Sequence, residues 1–119
     1  MRIGVTGSRR LDYEQRKLVR KILTERLSEC GKDDELHHGC ANGVDTIAAQ
    51  TAAYQGMTIV QHPALVPDWE RGYKPRNKRI VAAVDLLLAF HSPDSTTGGT
   101  IWTYQYALRR GVKAEWIEL

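Results

Sequence analysis

The sequence predicts an α/β fold: a three-layer sandwich around a five-stranded parallel sheet in the order 3-2-1-4-5. Three observations predict it. Short β-prone runs alternate with longer segments whose apolar residues recur at helical spacing. One run, "VDLLLAF" at 84–90, is apolar almost without a break, the pattern of a strand covered on both faces. Glycine-containing turns also follow three of the strands and lead into helices: "TGSRR" at 6–10, "HGCANGVD" at 38–45 and "HSPDSTTGGT" at 91–100.

Taken in order, "RIGVT" (2–6) is a first strand closed by Gly7. Residues 12–30 place Leu18, Val19, Ile22, Leu23 and Leu27 on one helical face, and Gly31 stops the helix. "ELHHG" (35–39) is a second strand. Asn42 has the chemistry of an N-cap for a helix running to about Gln55, with Val44, Ile47, Ala48, Thr51 and Ala52 on its packed side. Gly56 ends that helix, and "MTIVQHP" (57–63) is a third strand halted by Pro63. Residues 64–74, with Trp69 and Tyr73, form a longer irregular connection. Pro75 suits the first turn of a helix reaching about Ala83. The strand at 84–90 follows, then a helix to about Arg110, closed by Gly111, and a last strand in "VKAEWIEL". No repeat, linker or low-complexity tract divides residues 1–119, which are read as one domain. The β-α alternation in this strand order is Rossmann-like.

Composition narrows the classes. Hydrophobic residues make up 42% of the 119 and charged residues 26%, ordinary for a globular chain. No apolar run has membrane-spanning length, so no membrane partner is expected. The two cysteines, Cys30 and Cys40, lack CxxC spacing, which with the absence of a signal-peptide core implies a reduced, cytoplasmic protein. The net charge is +3, with basic clusters at Arg9–Arg26 and Arg71–Arg79, a balance suited to phosphate-bearing partners or to solvated helix faces.

Ligands of open α/β sheets bind at the carboxyl ends of the strands, so the three glycine turns fall on the expected functional edge. Turns of this kind let backbone N–H groups converge on an anion at a helix N-terminus. "GVTGSR" is not the G-x-G-x-x-G dinucleotide fingerprint, and no G-x-x-x-x-G-K-[ST] P-loop is present. Classical NAD and ATP cofactors are therefore not expected, and no resident cofactor is assigned. His38, His62 and His91 each end a strand, but the strand order separates His62 from His91, and no metal site is expected. Cys40 is either a small space-filling residue or an exposed thiol at a helix start. Trp69 and Tyr73 either stack on a base, with Arg71, Arg76 or Lys78 meeting phosphate, or cover the core. Trp102 and Tyr106, four apart, fit core packing or a homodimer face.

The ordered set "VTGSR" (5–9), "HHGCANGVDTIAA" (37–49), "KPRN" (74–77) and "GGT" (98–100) resembles the SLOG superfamily. That group includes the Lonely Guy phosphoribohydrolases and the Smf/DprA DNA-processing proteins, and the likeness is greatest to small members related to YpsA and YspA. The resemblance implies a Rossmann-like domain whose glycine-rich loops bind nucleotides or nucleotide-derived ligands. It implies that Gly7, Ser8 and Arg9 line a first phosphate-facing turn, and that Gly39, Gly43 and Asp45 form a second. Asp45 would lie near a ribose or brace its loop. Arg76 and Asn77 match an Arg-bearing helix start, and Gly98, Gly99 and Thr100 match the end of the P-G-G-x-G-T-x-x-E signature of Lonely Guy enzymes. Ser95, Thr96 and Thr97 add hydroxyls to the same loop. Where those enzymes carry their catalytic Glu, this chain has Thr103, which cannot stabilise a developing sugar cation as a carboxylate does.

Three readings follow, in order. The first is a protein that senses or sequesters a nucleotide-derived small molecule containing ribose phosphate. The second is an N-glycosidic phosphoribohydrolase acting on a nucleoside monophosphate, with Asp45 and Arg76 as its catalytic candidates. The third is a nucleic-acid-binding module resting on the basic helix at 12–30.

Overall fold

A computed structural model describes residues 1–119. Five strands, β1 (Arg2–Gly7), β2 (Glu35–His38), β3 (Thr58–Gln61), β4 (Leu86–His91) and β5 (Lys113–Glu118), form one sheet in the order β3-β2-β1-β4-β5. Every pairing is parallel, as the sequence predicts. The helices are α1 (Tyr13–Arg26), α2 (Val44–Tyr54), α3 (Lys74–Ala83) and α4 (Gly99–Arg109).

The apolar run of β4 divides its side chains between two cores. Leu86, Leu88 and Phe90 join a cluster with Val19, Leu23 and Leu27 of α1 and Val44, Ile47, Ala48 and Ala52 of α2. Leu87 points the other way, into Ile80, Val81 and Val84 from α3 and its C-cap and Ala107 of α4. Strand period two thus assigns α1 and α2 to one face and α3 and α4 to the other. The chain winds outward from β1 to β3 and then returns to β4 on the other side of β1. The carboxyl ends of β1 and β4 adjoin at this switch, where Gly7 pairs with Phe90.

Local details depart from expectation where packing overrides periodicity. Helix α1 ends at Arg26, with Leu27 as C-cap, rather than continuing to 30. Its inner face is Gln15, Val19 and Leu23, while Leu18 is exposed. The Gln15 amide donates to Ser92 Oγ at 3.0 Å, tying α1 to the loop after β4. The N-cap of α2 is Gly43 rather than Asn42. Gly43 has φ +79°, and a Cβ there would run into the Ser8 carbonyl oxygen, so only glycine lets the second turn close against the first. The 64–74 connection contains a π-helical turn, Trp69–Tyr73, that runs into α3. The Asp68 carboxylate caps this turn by accepting the Arg71 N–H at 2.7 Å. No helix is long and apolar enough to cross a membrane.

On the β2–β3 edge, His37 Nδ1 lies 2.8 Å from His62 Nε2, and His37 Nε2 lies 2.8 Å from Glu35 Oε1. Burial, then the neighbouring His37, holds His62 below its ordinary value of 6.5, and burial likewise lowers His38. The unfolded chain therefore takes up these protons before the folded one does, and the associated stability falls as pH drops below 6.5. The urea midpoint is expected to decrease between about pH 7.5 and pH 5, and to decrease less in His62→Asn. Parallel profiles for the two proteins would contradict this assignment.

Candidate functional site

At the carboxyl edge of the sheet the strand ends enclose a cavity of about 950 Å³, within the range that holds a small molecule. Gly7, Ser8 and Arg9 reach it from the end of β1. Gly39 and Asp45 reach it from the second turn, and Arg76 and Asn77 from the first turn of α3. Ser95, Thr96, Thr97, Gly98, Gly99 and Thr100 close it on the far side. Gly43 lies outside this cavity and borders an adjoining groove instead. Arg10, Asp94 and Trp102 also line the cavity and were not singled out as site residues from the sequence. For Trp102, the usable signal was its place one helical turn beyond Gly99.

The glycines of this edge differ in what they do. Gly39 is buried against Arg76, and a Cβ would overlap the guanidinium. A Cβ on Gly98 would meet nothing within 4 Å, and one on Gly99 only Trp69 Cζ3 at 3.7 Å. Neither Gly98 nor Gly99 has a positive φ, so protein packing leaves space there unfilled.

A chain of buried polar groups holds the turns together. Asp45 Oδ2 accepts the N–H groups of Gly39 at 2.9 Å and Ala41 at 3.2 Å. Arg76 donates through one terminal nitrogen to the Gly39 carbonyl and through Nε to Asn77 Oδ1 at 2.7 Å. Asn77 Nδ2 donates to Thr103 Oγ1 at 2.9 Å, and Thr103 Oγ1 donates to the Gly99 carbonyl at 2.8 Å. Thr103 is 1% exposed, so the residue at the signature's Glu position is a buried link between α3 and the start of α4. Burial pushes the Asp45 carboxyl up, opposed by its two N–H donors and by the charges of His38 and Arg76. Burial also draws Arg76 down, opposed chiefly by Asp45.

Tyr73 organises the cationic side. The Arg9 guanidinium lies 4.3 Å and that of Arg76 5.6 Å from its ring centroid, and Arg9 donates to its hydroxyl at 3.3 Å. The expected cations Arg71 and Lys78 are engaged elsewhere: Arg71 with Asp68, and Lys78 over the Tyr106 ring. Trp69 meets Trp102 edge to face at 5.3 Å, and Trp102 stacks on Tyr106 at 5.1 Å. No side chain caps α2 or α4, whereas Asp12 caps α1 in a capping box with Gln15. The start of α4, which borders the cavity, thus keeps its positive end available to an anion, whereas at the start of α2 the Val44 N–H donates to the Ser8 carbonyl and the Asp45 carboxylate occupies the first turn.

The strand-end histidines do not converge: His62 meets His37, His91 meets Glu118, and His38 Nδ1 accepts the Cys40 N–H. Cys40 is exposed, with φ +64°.

Fold and cavity together define a Rossmann-like α/β protein whose glycine-bearing strand ends open onto one polar cleft. The chain belongs to the YspA, cpYpsA-related SLOG family, whose model matches residues 1–72. No curated protein matches the sequence. Among solved structures, it is similar in fold to DNA processing protein A from Helicobacter pylori, described with a single-stranded DNA binding mode. That likeness has a TM-score of 0.70 at 15% identity over 98% of this chain and 64% of that one. DNA processing protein A from Streptococcus pneumoniae is similar at a TM-score of 0.58 and 17% identity over 96% and 58%. The chain thus spans less than two-thirds of either structure.

Replacing Thr103 with the near-isosteric valine removes the hydroxyl that Asn77 and Gly99 share. The loss should destabilise the fold by about 1–3 kcal/mol in urea titration, the cost of leaving buried polar groups unpaired. An unchanged midpoint would mean that the chain of bonds carries no stability.

Proposed function

We propose that this protein binds, and thereby senses or sequesters, a nucleotide or nucleotide-derived molecule containing ribose phosphate. The observation that carries the reading is the convergence of the uncapped start of α4 with Arg9 and Arg76 on one cavity. Its Gly98–Gly99 wall leaves room for a phosphate to approach the backbone. A phosphate there would accept N–H groups at the start of α4 and hydroxyls from Ser95, Thr96, Thr97 and Thr100, while the guanidiniums flanking Tyr73 offset its charge. Trp69 and Trp102 offer aromatic surface on the same wall for a base.

Binding without cleavage is favoured over phosphoribohydrolysis by what the acids do. Thr103 offers no carboxylate, and Asp45, the catalytic candidate, has Oδ2 committed to two loop N–H groups and is 6% exposed. Arg76 likewise braces Gly39 and Asn77. The nucleic-acid reading draws support from the Helicobacter pylori fold relative, described with single-stranded DNA. It rests on the basic helix α1, which carries Arg16, Lys17, Arg20, Lys21 and Arg26.

Equilibrium dialysis against nucleoside monophosphates, NAD and ADP-ribose, read by mass spectrometry, tests the reading. A ligand retained intact supports it; release of free base with sugar phosphate would replace it with the hydrolase. Gly99→Asp places a carboxylate at the first residue of α4, where it suits the helix dipole but repels a bound anion. It is expected to fold at least as stably as the parent and to bind the retained nucleotide at least about tenfold more weakly, as Arg9→Gln should by losing a charged hydrogen bond. Wild-type affinity in both variants would refute this placement of the phosphate.

A further inference from the structure

Helices α1 and α2 lie on the same face of the sheet and leave a second cavity of about 690 Å³ between their facing edges. One wall is Arg16 and Arg20, a turn apart on α1. The other is Asn42, Thr46 and Gln50, at successive four-residue steps along α2 and the residues leading into it. All five are exposed. This groove is separated from the strand-end cavity only by a ridge, since Arg9, Arg10 and Asp94 border both.

The arginines of the groove outnumber its acids and form no ion pair. Arg2, Arg26 and Arg71 each pair with a carboxylate, but Arg9, Arg10, Arg16 and Arg20 form no ion pair. Two acids, Asp12 and Asp94, line the groove with them, and Asp12 also caps α1, its Oδ1 accepting the Gln15 N–H at 2.8 Å. Arg16 gives one N–H to the Leu11 carbonyl at 3.3 Å, and Arg20 gives one to Gln50 Oε1 at 3.0 Å. Each guanidinium has five N–H donors, so both are held in place with donors to spare. Four cations against two carboxylates along one polar furrow, three of the cations positioned by neighbours and none in an ion pair, make a surface complementary to anions spaced along a single ligand.

We infer that the α1–α2 groove is a second phosphate subsite continuous with the first, and that the ligand is a phosphate-linked nucleotide of two units. Its first phosphate lies at the start of α4, its first nucleoside crosses the Arg9–Arg10 ridge, and its second phosphate, the one that links the two units, is held by Arg16 and Arg20. This rests on the reading of the strand-end cavity as a nucleotide site. The Arg20–Gln50 hydrogen bond joins the two walls at the far end of the groove, which leaves room for one further unit before that bridge.

Isothermal titration of the full chain with AMP, with 5′-phosphorylated diadenylate and with 5′-phosphorylated hexaadenylate tests it, in the parent and in an Arg16→Gln/Arg20→Gln double variant. Both positions are exposed and glutamine keeps helix propensity, so thermal unfolding should match the parent. The diadenylate is expected to bind the parent at least about tenfold more tightly than AMP, and the double variant to erase that gain while leaving AMP affinity unchanged. Equal affinity for AMP and diadenylate in the parent, or a gain that survives in the variant, would overturn the second subsite and leave the nucleotide site standing. Binding of neither AMP nor diadenylate by the parent would overturn the nucleotide reading together with this one. The hexaadenylate is expected to bind no more tightly than the diadenylate; a further gain would overturn the two-unit limit in favour of a single strand.

Discussion

The carboxyl edge of this protein depends on one buried chain of hydrogen bonds, from Asp45 through Gly39, Arg76, Asn77 and Thr103 to Gly99. Apolar packing sets the layers of the sandwich but reaches the turns only at their roots. Beyond that, the second turn, the start of α3 and the start of α4 are positioned by polar contacts that burial strengthens. Each member is satisfied by the next, so removing one strands its neighbours in a low-dielectric setting. The same bonds position the guanidinium of Arg76 beside Tyr73 and thereby the cation facing the cavity.

Thr103 gains its meaning from this chain. Its hydroxyl both donates and accepts, which lets it bridge Gly99 and Asn77. A carboxylate cannot donate a proton while ionised, so the bond to the Gly99 carbonyl would be lost and two acceptors would face each other. The strand-end cavity is accordingly preorganised on its buried side, while its open side is formed by exposed residues at 96–98.

Arginines in this chain fall into distinct physical settings. Arg2, Arg26 and Arg71 sit in ion pairs at the surface, where screening leaves them small energetic value. Arg76 is buried and bonded to neutral oxygens of Gly39 and Asn77. Arg9, Arg10, Arg16 and Arg20 line cavities without a carboxylate partner. A count of basic residues does not separate these groups, and their separation is what turns a modest net charge into a directed field.

The layer order was written into the sequence because it follows from local rules. The nearly continuous apolar run at 84–90 calls for a strand covered on both faces, and right-handed crossovers leave few topologies for alternating strands and helices. The place of the strand-end cavity was legible for the same reason, since strand ends at a switch point hold the glycine turns together. What each residue does there was not. Nothing local says that Asn42 yields its capping place to Gly43; the nearby Ser8 carbonyl, 35 positions earlier in the chain, decides it. Nor does spacing reveal that Tyr73 collects Arg9, or that Arg16 and Arg20 go without acids while Arg26 finds Glu115. Periodicity is a property of neighbours along the chain, and it determined the elements. Hydrogen-bond satisfaction and charge compensation are properties of neighbours in space, so only the tertiary structure could assign them.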